Sequence, residues 1–83
     1  MVREETFSQP LIRIGRMRSS HLLLDDESVS RMHAVIEVSP EGEVLLMDLD
    51  SSSGTAVNGK RVKKAILKSG DQLDFGKARV IVS

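Results

Sequence analysis

No segment of helical length in this chain repeats its apolar residues every ~3.6 positions. What recurs instead is a turn signal. Short apolar or alternating runs are cut by Gly beside Pro, Asn, Ser or Asp. Asn58-Gly59 is the strongest of these, between Thr55-Ala56-Val57 and Lys60-Arg61-Val62. Both turn residues tolerate positive φ, so the stretch reads as a tight hairpin. Leu11-Ile12-Arg13-Ile14 alternates and stops at Gly15. Residues 33–39 put Ala34, Ile36 and Val38 on one face, Pro40-Glu41-Gly42 turns the chain, and 43–49 returns. Val44-Leu45-Leu46-Met47 is apolar on both faces, as for a strand covered on both sides or one near the centre of a sandwich. His21-Leu22-Leu23-Leu24 and residues 65–67 are short apolar runs. Residues 72–75 and 78–82 follow, separated by Gly76-Lys77. The pattern predicts an all-β chain: a two-sheet β-sandwich of short, mostly antiparallel strands.

Composition narrows the function. The chain has 83 residues, so residues 1–83 are read as a single domain. Residues 1–10 are its weakest part, an N-terminal strand over 2–7 or a tail. Lys plus Arg and Asp plus Glu number 12 each. That balance argues against a general nucleic-acid binder, despite a basic set in Arg16, Arg18, Arg31, Lys60, Arg61, Lys63 and Lys64. There is no Trp or Tyr to stack bases. There is no cysteine, hence no disulfide and no thiolate metal site, and a reducing, cytoplasmic setting is expected. No apolar run is long enough to span a bilayer, and the charged start lacks a signal-peptide core.

Three motifs imitate chemistry that the rest of the sequence does not support. Gly54 to Lys60 has P-loop spacing, but Arg61 stands where Ser or Thr is needed and no helix follows. Asp48-x-Asp50-x-Ser52 starts like a calcium loop, but its Gly is one place late and its twelfth position is Gly59. Ser30 near His33 resembles a nucleophile and base, with no orienting carboxylate or oxyanion hole in view. The expectation is therefore no enzyme, no metal and no cofactor.

The positive signal lies in three polar connections: Gly15-Arg16, then Ser28-Val29-Ser30-Arg31-Met32-His33, then Ser51-Ser52-Ser53-Gly54-Thr55. A phosphate carries about −1.5 to −2 charges and three acceptor oxygens. Guanidinium groups, hydroxyls and backbone N–H groups near Gly are what such a ligand needs. Arg16, Arg31, Ser30, Ser52 and Gly54 supply that set if the loops converge at one end of the sandwich.

The order GR, SRxH and SxxGTxVNG resembles the forkhead-associated (FHA) domain, with likeness from about residue 11 to residue 83. The resemblance implies an FHA/SMAD-like sandwich that binds phosphothreonine peptides through loops at one end, without catalysis or cofactor. By position, Arg16, Ser30, Arg31, Ser52 and Ser53 would contact phosphate or peptide. Ser52 would do so by side chain or backbone N–H. Gly15, His33, Gly54, Thr55 and Asn58 would support the loops. Asn58 has two open readings, a side chain that holds a neighbouring loop or merely the first turn residue of its hairpin.

Two departures from the family pattern matter. Ser53 stands where the family usually has Asn to bond the peptide main chain, and a hydroxyl cannot present an amide's donor and acceptor together. The family also usually has another strand before the position of Leu11. Either residues 2–7 supply it, or a sheet edge stays open and invites a homodimer. The implied function is a phosphothreonine-dependent interaction module in signalling, as part of a larger protein. The alternative is an FHA-like scaffold for phosphate-independent contacts or self-association.

Overall fold

The structure, a computed structural model, describes residues 2–5 and 9–83, with side chains from residue 9 onward. Two five-stranded sheets face each other. The strands are β1 (Val2–Glu5), β2 (Leu11–Gly15), β3 (Leu22–Leu23), β4 (Ala34–Val38), β5 (Val44–Asp48), β6 (Thr55–Val57), β7 (Lys60–Val62), β8 (Lys64–Leu67), β9 (Gln72–Phe75) and β10 (Ala78–Val82). One sheet runs β1-β10-β9-β6-β7 and the other β3-β2-β4-β5-β8. All pairings are antiparallel except β1 with β10 and β2 with β3.

Alternation decides which side chains meet between the sheets, because successive residues of a strand point to opposite faces. Ile12, Ile14, Ala34, Ile36 and Leu46 come from one sheet, and Leu73, Phe75, Ala78 and Val80 from the other; all are buried. Leu24 and Val29, from the long β3–β4 connection, close the core at one end. β5 lies inside its sheet between β4 and β8, so the central-strand alternative for its apolar run holds. Leu46 is fully buried, whereas Leu45 and Met47 are half-buried on the outer face.

β1 lies parallel on the outer side of β10, from Val2 opposite Arg79 to Glu5 opposite Val82. The N-terminal residues thus supply the extra strand, and the β10 edge is not left open. The part of that expectation concerning residues 6 and 7 lies outside the described residues. Residues 60–62 and 65–67 fall in different sheets. The chain changes sheet at Lys63, whose carbonyl accepts the Asp48 N–H at 2.8 Å.

Candidate functional site

β2 and β5 end where β4 begins, since Ala34 lies opposite both Ile14 and Asp48, and β6 begins beside them, where the Thr55 hydroxyl donates to Asp48. Three connections therefore emerge at one end: residues 16–21, 24–33 and 49–54. The β9–β10 turn at Gly76-Lys77 joins them, because Lys77 N–H donates to Ser28 Oγ at 2.7 Å.

The first two loops touch along their backbones. Arg16 N–H donates to Ser30 O at 3.1 Å and Met17 N–H to Arg31 O at 3.2 Å. Gly15 makes this approach possible, since a Cβ there would stand 2.0 Å from the Arg31 carbonyl oxygen. Arg16 then turns its Nε onto Val29 O at 3.0 Å. That bond fixes the guanidinium beside Ser30, and its two terminal NH2 groups have no partner among the described residues.

The second and third loops are joined by Ser30 Oγ, which accepts the Ser52 N–H at 3.1 Å. The oxygen acts as acceptor here, so the Ser30 hydroxyl proton stays available to a ligand. Ser52 N–H, one of two groups expected to meet the anion, is already engaged; its exposed hydroxyl is the group left over. Ser53 Oγ donates to Ser28 O at 2.7 Å. Its proton is thus committed to bracing the loops, and only its lone pairs remain for a peptide N–H. Arg31 is exposed, and its guanidinium has no partner among the described residues.

Gly54 does not offer free backbone to an anion. Its N–H donates to Ser51 Oγ at 3.0 Å and its carbonyl meets His33 Nε2 at 2.8 Å. Its φ is +84°, and a Cβ would stand 2.5 Å from Arg61 Nε. The group that closely approaches Gly54 is the Arg61 side chain.

His33 is fully buried and spans the second and third loops. Its Nδ1 accepts the Ser30 N–H at 3.0 Å, which leaves Nε2 to carry the proton donated to Gly54 O. The ring stands edge-on to Phe75, centroids 5.6 Å apart. Both ring nitrogens are taken by backbone, so His33 is not placed as a base for the Ser30 hydroxyl.

Asp48, which in the sequence resembles only the start of a calcium loop, is a further residue of the site. Its side chain is 2% exposed. It accepts Ser51 Oγ at 2.5 Å, Thr55 Oγ1 at 2.7 Å and Ser51 N–H at 3.1 Å. Burial is the largest single influence on its carboxyl and pushes the pKa up, but the hydrogen bonds from Ser51 and Thr55 together outweigh it and hold the pKa below the ordinary value. Asp26 does the same for the second loop, accepting Ser28 Oγ at 2.6 Å and Ser28 N–H at 2.9 Å. An acid two or three residues before a Ser is the local signal for such turns.

Asn58 is more than the first turn residue of its hairpin. It is the turn residue, with φ +52°. Its Nδ2 donates to Asp71 Oδ1 and its Oδ1 accepts Gln72 N–H, both at 2.9 Å. The loop it holds is the β8–β9 connection at the opposite end, not one of the three above.

Two guanidinium groups and two free hydroxyl donors thus stand on loops locked to each other from beneath. That set is suited to an oxyanion of high charge.

Comparison with known proteins agrees with this architecture. The FHA domain family model matches residues 12–76. The glycogen accumulation regulator GarA of Mycolicibacterium smegmatis is 40% identical over 73 residues, covering 88% of this chain and 46% of that protein. The chain spans about half the length of the curated relatives it matches. The crystal structure of the FhaA FHA domain complexed with the intracellular domain of Rv3910 superposes with a TM-score of 0.84 at 33% identity, covering 90% of this chain and 81% of that one. A chain from a structural and functional analysis of phosphothreonine-dependent FHA domain interactions gives a TM-score of 0.85 at 33% identity, covering 90% and 77%. With the family model spanning both sheets and all three loops, this chain belongs to the FHA domain family.

Proposed function

We propose that residues 1–83 act as one phosphothreonine-peptide-binding module in phosphorylation-dependent signalling, not as an enzyme. The observation that carries this is the junction of Arg16, Ser30 and Ser52: Arg16 Nε sits on Val29 O at 3.0 Å and Ser52 N–H on Ser30 Oγ at 3.1 Å. On this reading the Arg16 guanidinium and the hydroxyls of Ser30 and Ser52 face one anion, and Arg31 follows Ser30 directly. Arg16 supplies charge and paired donors, Ser30 donates its free proton, and Ser52 adds a second hydroxyl. Ser53 and Arg31 contact the flanking peptide. The phosphothreonine-dependent interactions studied in a similar FHA chain support this ligand. The intracellular partner domain in another supports a cytoplasmic setting.

The second reading, phosphate-independent contact, is favoured by one observation: the Ser53 proton is spent on Ser28 O. Self-association through the N-terminal sheet edge would use the outer side of β1, since β1 covers β10. Titration with matched phosphothreonine, phosphoserine and unphosphorylated peptides separates the readings. Tight binding of the phosphothreonine form alone is expected. Equal binding of all three would reject the proposal.

A further inference from the structure

Each of the three site loops presents two kinds of side chain, polar and apolar. The first carries Arg16 and then Met17, the second Ser30-Arg31 and then Met32, the third Leu49 ahead of Ser52. Met17, Met32 and Leu49 are 39%, 60% and 39% exposed. Together with Val35 on the outer face of β4 they line a cavity of about 370 Å³. That is the lower range of ligand clefts, roughly 300–1,000 Å³. Arg13 and Arg31 border it, and no Asp or Glu lines it.

Single exposed apolar residues are ordinary, but a cluster edged by charged residues marks an interaction surface. We infer that this cavity receives an apolar side chain of the same phosphorylated partner, from a residue flanking the phosphothreonine. The inference rests on the phosphothreonine-binding proposal. Continuity argues for it, because the loops that gather Arg16, Ser30 and Ser52 on one side wall the cavity on the other, and Arg31 belongs to both. Charge argues likewise. A doubly negative ligand suits a rim of two arginines, whereas a second copy of this chain packed face to face would oppose those arginines to themselves. Two of the walls are methionine, unbranched and polarizable, so they adapt to aliphatic or aromatic occupants alike.

The test is a peptide library with a fixed phosphothreonine and degenerate flanks, presented to this chain and to a Met32→Ser/Leu49→Ser double variant. Neither residue is buried, so a folded variant is expected, checked by its melting curve. The wild-type chain should enrich apolar residues at one flanking position. The double variant should lose that enrichment while still preferring phosphothreonine over threonine. For the best peptide, affinity should fall about tenfold in the variant. Replacing the apolar peptide residue by Ala should weaken the wild type by a similar factor and the variant hardly at all. A second measurement needs no substitution: the methyl resonances of Met17 and Met32 should shift with the selected peptide, and much less with its Ala version. Phosphothreonine selection without apolar enrichment, equal enrichment by both proteins, or unmoved methionine methyls would overturn the inference alone. Loss of phosphate dependence itself would overturn the parent proposal, and this inference with it. A wild-type dimer that the double variant dissociates would give the cavity to a second copy and equally overturn it.

Discussion

Ser30 and Ser52 are joined by a side-chain oxygen and a backbone N–H at 3.1 Å, with the Ser30 hydroxyl proton left over. One hydroxyl thus positions the third loop and faces a ligand at once. Ser30→Ala should remove both roles and lower phosphopeptide affinity by more than about tenfold, the loss of one charge-assisted bond of roughly 1.5–3 kcal/mol. Ser52→Ala leaves the backbone tie intact and removes only a hydroxyl, so it should cost less. Calorimetric titration of both variants with one peptide checks the order, and equal losses would mean that the tie does not matter.

His33→Ala should act on stability first. It strands Ser30 N–H and leaves Gly54 O with only the long 3.5 Å bond from Gly76 N–H, and an unsatisfied buried group costs about 1–3 kcal/mol. It also opens a void against Phe75. Urea unfolding should show a loss on the order of 3 kcal/mol. A loss below roughly 1 kcal/mol, the scale of an ordinary surface change, would show that the ring bridges nothing of consequence.

Two glycines should separate contact from conformation. At Gly15 an added Cβ meets the Arg31 carbonyl at 2.0 Å, whereas at Gly42 nothing lies within 4 Å, although φ is +87°. Gly42→Ala should therefore cost only the left-handed conformation, about 1–2 kcal/mol, with affinity unchanged. Gly15→Ala must push the first two loops apart, and should lower both stability and phosphopeptide affinity. Unfolding curves and titrations of the pair make the comparison.

Much of this architecture is legible in local residue order. Asn58-Gly59, Pro40-Glu41-Gly42 and Gly76-Lys77 name their turns because positive φ or a fixed ring leaves few residue choices. The alternation at Ile12, Ile14, Ala34 and Ile36 names the buried face. What local order hides is which distant groups meet. Asp48 looks like a failed calcium loop until Ser51 and Thr55 fold back onto it. Lys63 looks like a loop residue, not a change of sheet, because one residue carries no pattern. Met17, Met32 and Leu49 are far apart in sequence, so their shared cavity cannot be read from spacing. Arg61 beneath Gly54 is likewise a contact across a hairpin that either partner alone does not announce.

Acid should loosen the loops from below. Hydrogen bonds from the Ser51 and Thr55 side chains hold the Asp48 carboxyl below its ordinary value against the opposing effect of burial, and the Ser28 side chain and backbone lower Asp26. A carboxyl lowered in the folded state contributes stability above its unfolded value, about 3.9, and that contribution is lost as pH falls through the lower folded value. Stability should thus hold at neutral pH and decline below about pH 4. Asp48→Asn should be less stable than the wild type at pH 7, and the gap should narrow as the pH drops. A gap that stays constant across the acid range would mean that Asp48 is not ionised in the fold.

Arg16 sets the sharpest demand on side-chain chemistry. Its Nε is used on Val29 O at 3.0 Å, and that bond aims the terminal NH2 groups outward. A lysine carries the same charge on a single nitrogen, so it can sit on the carbonyl or reach a phosphate, but not present a planar fork while anchored. Arg16→Lys should therefore lose most of the affinity that Arg16→Ala loses, with both variants close to the wild type in stability because the residue is exposed. If charge alone mattered, the lysine variant would keep near wild-type binding at low salt and weaken steeply as salt rises. Titrating all three proteins at two ionic strengths tells these outcomes apart, and lysine rescue at both would show that the Val29 anchor is irrelevant to recognition.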